Sequence, residues 1–192
     1  GEISRQEVAA KTGLSMPTVI QNLTALEGQG LIRTEGVFES TGGRRARAIR
    51  CIYNAAFAVG IDITVNHLTI VILDLKGNVR WGGVREEYPF EDTKAYYDGV
   101  QERLERLIAD NRVDKRKILG IGISLPSIVD AEKNYVTYGH ILNEPAGVVR
   151  YFQDRFDYPV RIFNDANAGG FAENWADPSK VPRFFLMLSN SV

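Results

Sequence analysis

The chain has 192 residues, 44% of them apolar and 24% charged, with a net charge of −1. These proportions fit one ordinary globular domain plus a small one and exclude a disordered polypeptide. The near-neutral total makes no global demand for nucleic acid or membrane, but the charge is unevenly placed. Residues 1–53 carry seven Lys/Arg against five Asp/Glu, and residues 40–53 hold four arginines and no acid. A local basic patch can hide inside a neutral total. Cys51 is the only cysteine, so an intrachain disulfide is excluded and a reducing compartment fits. With one Cys and two widely spaced His, no metal site is expected in this chain, and no cofactor is assigned to it. No apolar run approaches a membrane span and no signal peptide opens the chain, so a soluble, cytoplasmic protein with no membrane partner is expected.

Residues 1–53 read as a small DNA-binding module. Ser4 can cap a helix, with Glu7 three residues on as its capping-box partner, Val8 and Ala9 facing inward and Gly13 at the end. Leu14 is expected to pack, and Ser15 to cap a second helix with Pro17 in its first turn. Val19, Leu23 and Leu26 recur at i, i+4, i+7 as a buried stripe, with Thr18, Gln21, Asn22 and Ala25 on the other face. Gly28 and Gly30 stop the helix, and Leu31-Ile32 begins a strand. Helix, turn, helix, strand is the winged helix-turn-helix order, with a hairpin from Ile32 to Ile52 as the wing. The wing tip, Thr41 to Arg45, has the glycines of a turn and, in Arg44 and Arg45, cations for a phosphate backbone. Ser15, Thr18, Gln21 and Asn22 are the candidate groove-facing residues, because amide side chains pair with adenine edges. A solvated polar face is the plain alternative, and the basic wing that follows argues against it. Since a winged helix has a three-helix core, its first helix is expected to lie before Gly1.

Residues 54–192 change character. Ala58 to Ile63, Leu68 to Leu75 and Val79 to Tyr88 read as strands, with Lys76-Gly77-Asn78 as a hairpin turn. Thr93 to Asp110 is an amphipathic helix with Tyr97, Val100, Leu104, Leu107 and Ile108 on one face. Ile118 to Leu125 is a continuous apolar strand, expected to be buried on both sides, and ends in the Pro126-Ser127 loop. Pro145 to Arg155 forms another helix. Val160 and Ile162 belong to a strand that runs into a helix at Asn164-Asp165, and Phe184 to Leu188 begins one more strand. The fold class is therefore α/β: the first lobe of an actin-like (ribonuclease H-like) ATPase fold, preceded by a partial winged helix-turn-helix.

In an open α/β sheet, ligands bind in the crevice outside the carboxyl ends of the strands. Asp165 would stand there at a helix N-terminus, where the macrodipole favours negative charge. An ordinary N-cap is the plain alternative for Asp165. Asn164 beside it adds a second polar group, and Ala168, Gly169 and Gly170 keep the opening turns bare enough for close approach by something else.

The stretches GIDI, GIGISLPSIVD and NDANAGGFAE, in that order, resemble the ROK family of sugar kinases and sugar-responsive repressors. The segment RQEVAAKTGLSMPTVIQNLTALEGQGLI, with its GRR wing, resembles the repressor branch. The resemblance covers nearly the whole chain. It implies that Asp165 occupies the position of the kinases' catalytic base, and that Asn164, Asp165, Pro126 and Ser127 bind sugar. Family members usually have glycine where Ser127 stands. The kinases carry Asp-Ile-Gly-Gly-Thr-Lys after the first strand, whereas this chain has Asp62, Ile63, Thr64, Val65, Asn66 and His67. Side chains at Thr64 and Val65 crowd the place where ATP phosphates would lie, so Asp62, Thr64, Val65, Asn66 and His67 form a degenerate phosphate loop, with His67 as an exposed strand-end histidine. No catalysis is expected. The resemblance further implies operator DNA, a sugar or sugar-phosphate effector and a homodimer, with the family's zinc motif and second-lobe sugar contacts beyond Val192. A sugar kinase with an appended DNA-binding domain remains the alternative, and a sugar-binding domain without DNA contact the blander one.

Overall fold

The computed structural model describes residues 2–35 and 48–176. The wing tip with Arg44 and Arg45, and the strand expected at Phe184 to Leu188, lie outside the described residues. The chain divides into two compact units, Gly1–Ala55 and Ala56–Val192.

In the first unit, α1 (Arg5–Thr12) and α2 (Met16–Gly28) precede an antiparallel pair, β1 (Ile32–Glu35) and β2 (Ala48–Cys51). Ser4 Oγ accepts from the Glu7 amide while Glu7 Oε2 accepts from the Ser4 amide, so the capping box closes in both directions. Gly13 ends α1 in the left-handed region at φ 70°, where a Cβ would be strained. Ser15 Oγ caps α2 by accepting from the Thr18 amide. The apolar stripe of α2 departs from expectation. Val19 is buried, but Leu23 is half-buried, Leu26 is 36% exposed and Leu14, expected to pack, is 43% exposed. Periodicity marks which side chains share a face; burial needs a second surface, and the described residues of this unit cover only the Val19 side.

The second unit is a five-stranded mixed sheet in the order β5-β4-β3-β6-β9. Its strands are β3 (Phe57–Ile63), β4 (His67–Asp74), β5 (Val79–Glu87), β6 (Ile118–Leu125) and β9 (Val160–Asn164). β3, β4 and β5 form an antiparallel meander, and β6 and β9 add in parallel beside β3. Strict alternation in β3 and β4 sends Val59, Ile61, Ile63, Leu68 and Ile72 to one face. Against that face lie α3 (Lys94–Asp110), through Val100, Leu104 and Ile108, and α4 (Pro145–Gln153), through Val148 and Phe152. Full burial of each such side chain stabilises by about 1.5–3 kcal/mol, which makes this the dominant layer.

Two expectations need correction. β6 is not buried on both sides: Leu119 is 60% exposed, and Gly120, Gly122 and Ser124 are half-buried. One face packs on α3 and α4, while among the described residues the other is only partly covered, with Phe163 as the side chain that a Cβ at Gly122 would meet. The helix expected to reach Arg155 ends at Gln153, and Arg155 instead turns its Nε to Asp98 Oδ1 at 2.8 Å.

A hairpin absent from the expected elements, β7 (Ile128–Asp130) and β8 (Tyr135–Tyr138), follows β6 directly. At its turn Asn134 adopts φ 50° and reaches β9, accepting from the Ile162 amide at 3.0 Å and donating to Val160 O at 2.9 Å. The side-chain amide thus stands in for a neighbouring strand at the sheet's edge. The helix α5 (Asp165–Ala176) starts where β9 stops, and Trp175 Nε1 donates to Lys76 O in the β4–β5 turn.

The bulge in β5 rests on Gly82. Its φ is 83°, and an added Cβ would lie 2.1 Å from Ile70 O. Gly82→Ala is therefore expected to destabilise the second unit by at least about 2 kcal/mol, read from the urea midpoint of unfolding.

Candidate functional site

Three parallel strands end side by side. Leu125 of β6 pairs with Asn164 of β9, and Asp62 of β3 with Ser124 of β6. Their carboxyl ends therefore present Thr64, Pro126-Ser127 and Asn164-Asp165 along one edge of the sheet. A loop or helix start at each end is what a strand sequence produces when its β-branched run stops at Asn, Pro or Asp.

The β9–α5 junction is organised by one amide. Asn164 Oδ1 accepts from the Asn167 amide at 3.0 Å, an N-cap bond for α5. Asn164 Nδ2 donates to Ser127 O at 2.9 Å and to Asp165 Oδ1 at 3.0 Å. The amide's orientation is fixed by its neighbours, since a flip would set N–H against N–H at Asn167. Asn164, not Asp165, is thus the cap, and both its donors are occupied. One lone pair of Oδ1 remains for a ligand. Asp165 is the first helical residue, and its Oδ1 also accepts from the Ala166 amide at 2.9 Å. Its Oδ2 has no partner among the described residues. A half-buried carboxylate held by one oxygen at a helix N-terminus, with the other oxygen open, is suited to accept hydrogen bonds from hydroxyl groups.

Ser127 is placed differently from a pocket-lining hydroxyl. It is buried, its Oγ donates to Leu125 O at 3.3 Å, and its Cβ lies against Gly139, where an added Cβ would come within 3.3 Å. Its carbonyl, bonded to Asn164, holds the junction together. Pro126 is half-buried beside it.

The segment Thr64 to His67 is a closed β-turn between β3 and β4. The Thr64 amide donates to His67 O at 2.9 Å, and Thr64 Oγ1 accepts from the His67 amide at 3.1 Å. Val65 O and Asn66 O accept from the Phe90 and Tyr88 amides. Asp62 is exposed one strand inward. His67 is not the exposed residue expected: it is half-buried, and its Nδ1 lies 3.1 Å from Arg85 Nη2. A guanidinium only donates, so Nδ1 is the acceptor and the ring proton sits on Nε2.

Asp92 had no sequence signal. Its Oδ2 accepts from the Asn143 and Glu144 amides at 2.5 and 3.1 Å, and its Oδ1 from Tyr97 OH at 2.5 Å. This carboxylate pins the loop that runs from Gly139, beside Ser127, to the start of α4. Burial and the Asp92 bond both push the Tyr97 hydroxyl above the usual phenol range, so it remains a donor.

On the first unit, Ser15 and Thr18 join hydroxyls at 2.8 Å within the α2 cap, while Gln21 and Asn22 are exposed. Among the described residues, no group of three or more His, Cys, Asp or Glu is arranged to hold a metal, and no helix is long and apolar enough to cross a membrane.

The sheet, its helices and the strand-end carboxylate define the first lobe of an actin-like fold. The backbone superposes on a ROK-family transcriptional regulator homologous to the E. coli MLC protein with a TM-score of 0.70, at 20% identity over 90% of this chain and 44% of the other. Residues 58–189 match the ROK family model, and the chain belongs to the ROK family. It is 29% identical over 174 residues to a putative xylose repressor of Caldicellulosiruptor sp., covering 90% of this chain and 44% of the relative. It is 26% identical over 183 residues to the DNA-binding transcriptional dual regulator NagC of Escherichia coli K12, covering 94% of this chain and 44% of the relative. The chain thus spans less than half the length of these relatives.

Replacing the junction amide separates its two roles. Asn164→Ala should cost about 2–3 kcal/mol, from the lost cap and the unpaired Ser127 carbonyl. Asn164→Asp should keep the cap but not the Ser127 bond. Hydrogen exchange at the Asn167 amide checks this: protection is expected to fall in the first variant and persist in the second.

Proposed function

We propose that this chain carries the DNA-binding segment and the first sugar-contacting residues of a sugar-responsive transcriptional repressor in the cytoplasm. The observation that carries the reading is the β9–α5 junction, where Asp165 keeps Oδ2 open while Asn164 and the Ala166 amide hold Oδ1. A sugar hydroxyl donates to that oxygen, and the remaining lone pair of Asn164 Oδ1 accepts from a second hydroxyl. The names of the relatives, repressors of xylose and N-acetylglucosamine systems, support a monosaccharide or its phosphate as effector.

The turn at Thr64–His67 supports sensing over phosphotransfer. A phosphate cradle needs naked, convergent backbone amides. Here the Thr64 amide is engaged within the hairpin, and Thr64 and Val65 bring β-branched side chains to the same place. The carboxylate that would act as base in a kinase then serves as an acceptor alone. Sugar binding lowers operator affinity by as much as the sugar prefers the conformation that fits DNA less well. In a homodimer, two copies of α2 would meet the two halves of an operator, with Gln21 and Asn22 toward base edges and Arg44 and Arg45 toward phosphates.

Incubating the full-length protein with ATP and a panel of sugars is expected to yield no sugar phosphate. Turnover near about 1–100 s⁻¹ would establish the alternative, a kinase carrying a DNA-binding segment.

For DNA, Arg44→Ala is expected to weaken binding to every sequence and to reduce the slope of log affinity against log salt by about 1. Gln21→Ala should instead relax preference at one base position by about 1–3 kcal/mol. Titrations of both variants against operator and random duplexes at several salt concentrations distinguish the two, and intact protein that ignores DNA altogether would defeat the DNA-binding part.

A further inference from the structure

The helix α4 begins without a cap of its own. Its N-cap residue is Glu144, whose side chain makes no hydrogen bond to the helix start and instead accepts from Tyr151 OH at 3.3 Å. The Glu144 amide is one of the donors that a helix start leaves without an intrahelical partner. At α1 the same need is met locally, where Glu7 reaches back to the Ser4 amide. At α4 the residue in the position of Glu7 is Gly147, which has no side chain to reach back, and a Cβ there would lie 3.2 Å from Glu144 Cδ. The partner comes from 52 positions away: Asp92 Oδ2 accepts from the Asn143 and Glu144 amides. Asp92 Oδ1 accepts from Tyr97 OH of α3. A local capping box would satisfy the helix alone, whereas this carboxylate also fixes the loop against α3.

The pinned loop leads by contacts to the β9–α5 junction. The Leu142 amide donates to Gly139 O at 3.0 Å and closes a turn. A Cβ at Gly139 would lie 2.7 Å from Leu142 Cδ1 and 3.3 Å from Ser127 Cβ, so Gly139 stands between the two with no room for a side chain. Ser127 is buried, and its carbonyl accepts from Asn164 Nδ2, which also donates to Asp165 Oδ1. In a close-packed interior a displacement at one such contact is passed to the next. Hydrogen bonds weaken steeply with misalignment, so the position of Ser127 O bears directly on how Asn164 holds Asp165.

We propose that Asp92 is a positioning residue for the β9–α5 junction: by fixing the loop 139–144 it sets where Ser127 O meets Asn164, and so where Asp165 Oδ2 stands. Its bearing on effector affinity rests on the sugar-sensing reading of Asp165, while its bearing on the junction does not.

The test has two readouts on the full-length protein. The first is the NMR signal of the Asn164 side-chain amide in protein carrying isotope-labelled asparagine, identified by its absence from Asn164→Ala. Without sugar, Asp92→Ala and Gly139→Ala are expected to displace that signal. Asp92→Asn should keep it, since the asparagine oxygen still accepts from both loop amides and its nitrogen donates to the Tyr97 oxygen. Ile108→Ala, buried at the opposite end of α3, is the control that lowers the melting temperature and leaves the signal in place. The second readout is calorimetric titration with D-xylose, D-glucose, N-acetyl-D-glucosamine and glucose 6-phosphate. The best-bound sugar is expected to weaken at least tenfold in Asp92→Ala and to stay within twofold in Asp92→Asn and Ile108→Ala. An unmoved Asn164 signal in Asp92→Ala, or in Gly139→Ala should the first variant not fold, overturns the positioning role. An equal displacement in Ile108→Ala overturns it too, because the effect is then general loosening. A displaced signal with sugar affinity unchanged in Asp92→Ala, and binding lost in Asp165→Ala, overturns the bearing on affinity and leaves the carboxylate site standing. A displaced signal with none of the four sugars bound by the unaltered chain supports the positioning of the junction and overturns the sugar reading.

Discussion

The junction between β9 and α5 depends on the side-chain amide of Asn164. It reaches the Asn167 amide, the Ser127 carbonyl and Asp165 Oδ1 at 2.9–3.0 Å. Those three bonds join the end of one strand, the start of one helix and the loop leaving the neighbouring strand. Aspartate caps a helix but cannot donate to a carbonyl, and serine has a single proton and a shorter reach. The same geometry settles what is left over: one oxygen of Asp165 and one lone pair of Asn164. The arrangement offers acceptors to a ligand rich in donors, which is the chemistry of a polyol.

A second constraint acts across the sheet. The turn between β3 and β4 is held by its own hydrogen bonds. Thr64 bonds to His67 through backbone and hydroxyl, and the Tyr88 and Phe90 amides, just past the end of β5, donate to the two central carbonyls. His67 Nδ1 accepts from Arg85 Nη2. Folds host many chemistries, and function resides in such local differences. Along one sheet edge, one turn leaves a carboxylate oxygen without a partner among the described residues, while the other is held by its own hydrogen bonds.

Much of this was legible in the residues. Ser4 with Glu7, Gly13 and Thr93 announced helix ends because capping is local chemistry, decided within four residues. The apolar runs Ala58 to Ile63 and Leu68 to Leu75 announced strands, and Lys76-Gly77-Asn78 the turn into the next one. What misled was anything that needed a distant surface. Leu14 and Leu26 looked like core by periodicity yet stand 43% and 36% exposed. Ile118 to Leu125 looked doubly buried, but among the described residues Leu119 is exposed and its glycines are only half-covered. The β7–β8 hairpin escaped because strands of three and four residues leave too short a period to read, and its register shifts midway. Asp92 escaped for another reason: its partners Asn143 and Glu144 lie some fifty positions away, and no spacing rule connects them.

The sequence by itself determined most of the order of elements and the polar residue types standing at each strand end. These follow from local propensity, alternation and caps. Tertiary structure alone decided which atoms of those residues remain free. Asn164 became the cap and cross-link, and Ser127 turned its hydroxyl inward. The physical reason is saturation. A polar side chain has a fixed number of donors and acceptors, and only the folded neighbourhood shows how many are already taken.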